Sequence, residues 1–157
     1  MFVHPVSRTA EGDFELRISE REREVLRGVP GELRELLDKG RSDDPALERL
    51  FPAAYPDDDE RNAEYEQMVG GELMAGRVAA VETMERTIDA TRLSEDELAG
   101  WLSAINDVRL VLGTRLGVTE ETTEEDFEGE DAEGQAFALY AYLTYLEDHV
   151  VRALAAG

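Results

Sequence analysis

The chain has no cysteine among its 157 residues and a single tryptophan. Without thiols there can be no disulfides, no thiolate metal sites and no thiol redox sensing. Long apolar runs are missing as well, since no stretch approaches the roughly 18 residues that a membrane span requires. The opening residues Met1 to Phe14 carry neither a basic cap nor an apolar run, so no secretory signal is expected. A cytoplasmic location follows by elimination. Positive charge is scarce: 16 basic residues face 37 acidic ones, for a net charge of −21. Such a field repels phosphate backbones and anionic membrane surfaces, which argues against direct DNA binding and against a membrane partner.

What is present describes a globular protein. Hydrophobic residues make up 42% of the chain and charged residues 34%, a balance that fits one domain over residues 1–157 with a core of its own. Two β-favouring runs, Phe2 to Val6 and Phe14 to Ile18, flank a turn and predict a hairpin within residues 1–18. Ser19 with Glu22 forms a capping box. It opens one helix, kinked at Pro30 and ending at Lys39-Gly40. Around its start Arg17, Arg21, Arg23 and Arg27 alternate with Glu15, Glu20, Glu22 and Glu24, which reads as a solvated mixed-charge face.

Asp44-Pro45 starts a short helix through Leu50. Another is expected from Glu60 to Val69, broken by Gly70-Gly71. A helix over 72–90 gathers Leu73, Met74, Val78, Val81, Met84 and Ile88 on one side, with Arg77 inside the stripe. Ser94 and Glu97 form a second capping box before the central helix. Residues 117–134 hold nine acidic residues and no basic one, and are expected to form a mobile acidic loop. A last helix over 135–155 is apolar across a wide arc. The fold expected is all-α: a bundle of about five to six helices with a short N-terminal β-hairpin.

The central helix carries the most informative residue. At about 100° per residue, Leu98, Trp101, Leu102, Ile105, Leu112 and Leu116 share one stripe, and Arg109 stands in its middle. A charge there is costly without a partner. Glu147 falls within the apolar arc of the last helix, so Arg109 and Glu147 are expected to pair across two neighbouring helices. Such a pair serves either as a structural strut or as the floor of a pocket, and the structural role needs no ligand to explain it. Arg77 is expected to snorkel, its stem on apolar surface and its head in water. Trp101 and Tyr142, with Arg77, are the other candidates for a pocket or a partner-facing surface.

Catalytic and metal motifs fail one by one. His149 has Leu146 rather than Glu three places before it, so the Glu-x-x-His pattern of helical metal sites is broken. His4, beside Pro5, is expected to be exposed. The acidic loop lacks the alternating spacing and central glycine of a calcium site. No Gly-x-Ser-x-Gly and no credible triad exist, and no strand precedes Gly70-Gly71 to make a phosphate cradle. No enzyme, no metal and no cofactor are expected. Tyr140, Tyr142 and Tyr145 point in different directions on a helix, so they do not form a stacking platform.

Two segments resemble a known family. Asn106-Asp107-Val108-Arg109-Leu110-Val111-Leu112-Gly113 is similar to an "NDLRLALG" segment of a small actinobacterial family, described chiefly as a domain of unknown function. Leu139 to Glu147 resembles that family's terminal "YxWLTxLQ" segment. Arg77-Val78-Ala79-Ala80 and Asp43-Asp44-Pro45-Ala46-Leu47, followed by Pro52 and Tyr55, match earlier landmarks in order. The resemblance runs from about residue 14 to the end. It implies an actinobacterial cytoplasmic protein that regulates transcription under oxidative stress, through a sigma factor partner and a disulfide switch. This chain departs from the last point, having no cysteine. The resemblance supplies no catalytic residues.

The leading expectation is therefore a non-enzymatic regulator that binds a protein partner, with a sigma factor or RNA polymerase as the candidate. A helical domain that binds a small molecule or metal near Arg109 is the alternative, and a direct DNA binder a distant third. A homo-oligomer is compatible with each.

Overall fold

A computed structural model describes residues 4–39, 50, 58–65, 71–122, 126 and 131–156. Among these the chain is mostly helical, with a small antiparallel sheet near its start. The elements in order are β1 (Val6–Arg8), β2 (Phe14–Leu16), α1 (Glu20–Arg27), α2 (Val29–Lys39), α3 (Asp59–Tyr65), α4 (Gly71–Thr87), β3 (Arg92–Leu93), α5 (Glu95–Leu116) and α6 (Ala132–Ala155). The all-α bundle with an N-terminal hairpin is thus the observed fold, with one strand added.

The hairpin pairs Val6 with Leu16 and Arg8 with Phe14. Its first strand begins at Val6, where the sequence placed the end of that strand. The turn is closed by Thr9, whose backbone N–H donates to the Asp13 carbonyl at 2.8 Å and whose hydroxyl bonds the Asp13 carboxylate. Gly12 takes φ +93°, a conformation that favours glycine. The third strand was not foreseen. β3 lies antiparallel to β2, with Phe14 opposite Leu93, which makes β2 the middle strand. Val6, Phe14, Leu16 and Leu93 are all at most 6% exposed, so one face of the sheet is sealed by the helices.

Both capping boxes form, at Ser19/Glu22 and Ser94/Glu97. The expected single helix from Ser19 is instead two. α1 stops at Gly28, and α2 restarts at Val29 with Pro30 in its first turn, where a missing N–H costs nothing. A further correction concerns Arg23. Rather than lying on a solvated face, it is 8% exposed, and its Nη1 donates to the carbonyls of Ile88 and Ala90 at 2.6 and 3.1 Å. These carbonyls follow the C-terminus of α4, where a cation is electrostatically favoured.

α5 is the central strut, packed against α4 on one side and α6 on the other. Its buried residues are Leu98, Trp101, Ala104, Ile105, Asp107, Val108 and Val111. That face is rotated from the expected stripe, leaving Leu102, Leu112 and Leu116 only half-buried. Gly117 ends the helix at φ +67°, its N–H returned to the last turn. Two other expectations shift: Leu73 is half exposed rather than in the α4 stripe, and α4 ends at Thr87. α6 starts at Ala132, capped by the Asp131 carboxylate, so the expected acidic loop is shortened at its end. Most of the acidic loop's centre, the expected helix from Asp44, and the end of the helix expected to reach Val69 lie outside the described residues.

Candidate functional site

Two ion pairs of the bundle start from α5. Three positions after Ala104 and four before Val111, Asp107 is turned toward α4 and is only 4% exposed. Arg77 on α4 meets it: Nη1 donates to Oδ1 at 2.6 Å, while Nη2 donates to the Leu50 carbonyl at 2.8 Å. The expected snorkelling of Arg77 is therefore corrected, because its head group is engaged inside the fold rather than left in water. Its side chain is 22% exposed. Burial raises the pKa of Asp107 above the ordinary carboxylate value, and the Arg77 hydrogen bond opposes that rise. Oδ2 of Asp107 is buried with no hydrogen-bond partner.

Two residues on, Arg109 projects toward α6. The structure brings it to Glu147, Nε to Oε2 at 2.6 Å, with both side chains about four-fifths buried. The contact is an ion pair of close approach, with the Nε–H not aimed at the carboxylate oxygen as a hydrogen bond would require. Tyr140 completes this corner. Its hydroxyl accepts from Nη1 at 3.4 Å, and its ring centroid lies 5.7 Å from the guanidinium carbon. Tyr140 can come this close because position 113 is glycine: a Cβ there would sit 3.1 Å from the ring.

A shallow cavity of about 120 Å³ opens beside Arg109, lined also by Leu110, Thr114, Val118 and Tyr140. Tyr142 does not join it. Its hydroxyl donates to Glu22 Oε2 at 2.9 Å, on the α1 side of the same helix. Burial and the Glu22 carboxylate push the Tyr142 phenol above its ordinary pKa. Tyr142 therefore stands apart from the Arg109–Glu147 pair.

Trp101 is 1% exposed, with its indole N–H donated to the Thr87 hydroxyl at 2.7 Å. Thr87 in turn donates to the Thr83 carbonyl. Trp101 thus presents no surface to a partner and instead ties α5 to Thr87 at the end of α4. No cluster of three metal-ligating side chains occurs among the described residues.

A larger open feature than the Arg109 cavity lies elsewhere. Between α1 and α6 a groove of about 520 Å³ is lined by Val25, Ala138, Leu139 and Tyr142, with Arg21 and Glu22 at its edge. Val25 is 44% exposed there. Among the described residues no helix is long and apolar enough to cross a membrane.

Fold and site together define an acidic helical bundle braced by two ion pairs on one central helix, with an apolar groove on its flank. The chain belongs to the family described as a domain of unknown function, DUF2017, whose family model matches residues 3–154. It is 29% identical over 131 residues to proteins named oxidative stress regulator AosR in Mycobacterium bovis and Mycobacterium tuberculosis. The match covers 73% of this chain and 60% of each relative, so the chain spans about three-fifths of the length of the curated relatives it matches. No solved structure matches the chain.

Proposed function

We propose that this chain is a non-enzymatic regulator that works by binding a protein of the transcription machinery, a sigma factor or an RNA polymerase subunit, in a stress response. The observation that carries this reading is the apolar groove between α1 and α6. A surface helix that leaves Val25 exposed beside Leu139 and Tyr142 is built to receive apolar side chains from elsewhere. The net charge of −21 selects for a partner with a basic surface, and proteins that face nucleic acid have one. The names of the mycobacterial relatives support a regulatory role over a catalytic one. Because no cysteine is present, the signal cannot be a thiol switch within this chain.

The test is affinity capture from an actinobacterial lysate with mass spectrometry, comparing the wild-type chain with Ala138→Glu. The reading expects a sigma factor or polymerase subunit with the wild type and its loss with the variant. Capture of neither component by the wild type overturns it.

A further inference from the structure

The only two histidines of the chain stand at opposite ends of the sequence and meet in the fold. The His4 and His149 rings lie 5.7 Å apart, and Tyr145 packs edge-on against His149 at 4.6 Å. Both histidines line a cavity of about 250 Å³ between β1 and the last turns of α6, with Arg8, Arg152, Val6 and Ala153. Four basic side chains thus share one cavity in a chain where acidic residues outnumber basic ones by more than two to one.

Arg8 is the distinctive member. Arg27, Arg34, Arg77, Arg92, Arg109 and Arg152 are each held by a carboxylate. Arg8 has no such partner among the described residues: its guanidinium lies over the Phe14 ring at 4.7 Å, and its Nε is buried with no acceptor. Its terminal Nη groups are not buried and have no hydrogen-bond partner among the described residues, so they, rather than Nε, are the donors that an anion in the cavity can use. Arg152, at the rim, is 74% exposed and already paired with Asp148 at 3.1 Å.

We propose that this cavity binds a small organic carboxylate, its charged end taken by Arg8 and the two imidazoles and its apolar body resting on Val6 and Ala153. A planar guanidinium matches a carboxylate in two-point geometry. The walls favour an apolar body over a fully hydrated ion. The field of −21, together with the Asp148 carboxylate that pairs with Arg152, penalises a phosphate dianion more than a carboxylate monoanion. This site is separate from the α1–α6 groove and does not depend on the regulatory reading.

Because both histidines line the cavity, their two imidazole Hε1 signals in a proton NMR spectrum report on it directly, and His149→Asn assigns them. Titration with benzoate is expected to move both signals saturably, with a Kd of order 1 mM or tighter. Arg8→Gln is expected to weaken binding at least about tenfold. Should that variant fold poorly, His4→Ala provides a second test, because His4 is exposed and lies outside the elements. It is expected to weaken binding several-fold. The proposal is overturned if neither signal moves, if inorganic phosphate binds as tightly as benzoate, or if a folded variant retains wild-type affinity.

Discussion

Asp107 and Arg109 stand two residues apart on α5 and hold opposite neighbours. Asp107 takes Arg77 of α4 at 2.6 Å, and Arg109 takes Glu147 of α6 at 2.6 Å. One helix thus presents an anion to one side and a cation to the other. Each pair ties a neighbouring helix to α5 by a contact of 2.6 Å. Gly113, one turn on from Arg109, admits the Tyr140 ring that backs the second pair.

Removing Arg77 should be the most damaging change to this arrangement. Arg77→Met leaves a 4%-exposed carboxylate without its partner and frees the Leu50 carbonyl. The expected loss is about 3 kcal/mol in urea denaturation. Retention of wild-type stability would show that Asp107 finds other compensation.

Asp107 also predicts a pH dependence. Its folded-state pKa is raised, mainly by burial, so the protonated form binds its proton more tightly in the folded state than in the unfolded one. Its contribution is therefore fully present below the ordinary carboxylate value and lost as pH rises through the raised one. Relative to Asp107→Asn, the wild type should gain stability as pH is lowered from about 7 to about 4. Paired denaturation curves at the two pH values check the sign.

The Arg109–Glu147 pair is partly open to water, so its removal should cost less than that of a sealed pair. Arg109→Met is expected to destabilise by about 2 kcal/mol, between the values for exposed and buried pairs. A double-mutant cycle with Glu147→Gln should give a coupling energy of at least about 0.5 kcal/mol. Additive effects would mean that the two charges stabilise the fold independently.

Thr87 links the core to a spectroscopic probe. It accepts from the indole of Trp101, the only tryptophan. Thr87→Val keeps the shape but strands the indole N–H, at an expected cost of about 1–3 kcal/mol. The Trp101 emission should shift as its hydrogen bond is lost, and an unchanged spectrum would argue that the bond contributes little.

The features legible in the sequence are those written locally. The capping boxes at Ser19 and Ser94 rest on residues three apart, and both form. Arg109 and Glu147 could be matched because each sits on an apolar helical arc and the two carry opposite charges. Asp107 had the same kind of signal, three places after Ala104 and four before Val111, but the stripe drawn through Leu112 and Leu116 hid it. Arg23 was masked by the glutamates alternating with it, although it lies three residues before the buried Leu26 on the same face. β3 is two residues long and exists because β2 offers it an edge, which no local pattern records. The meeting of His4 with His149 likewise depends on β1 docking against the end of α6, a purely tertiary event.

The groove between α1 and α6 is the feature on which the functional reading stands. The most direct measurement is a binding titration of the labelled chain against purified RNA polymerase, its sigma factors added singly. The account predicts saturable binding to one of these components, weakened at least about tenfold by Ala138→Glu at the groove and unaffected by a charge placed at an exposed position away from it. Equal binding by the groove variant, or no binding to any component, would contradict it.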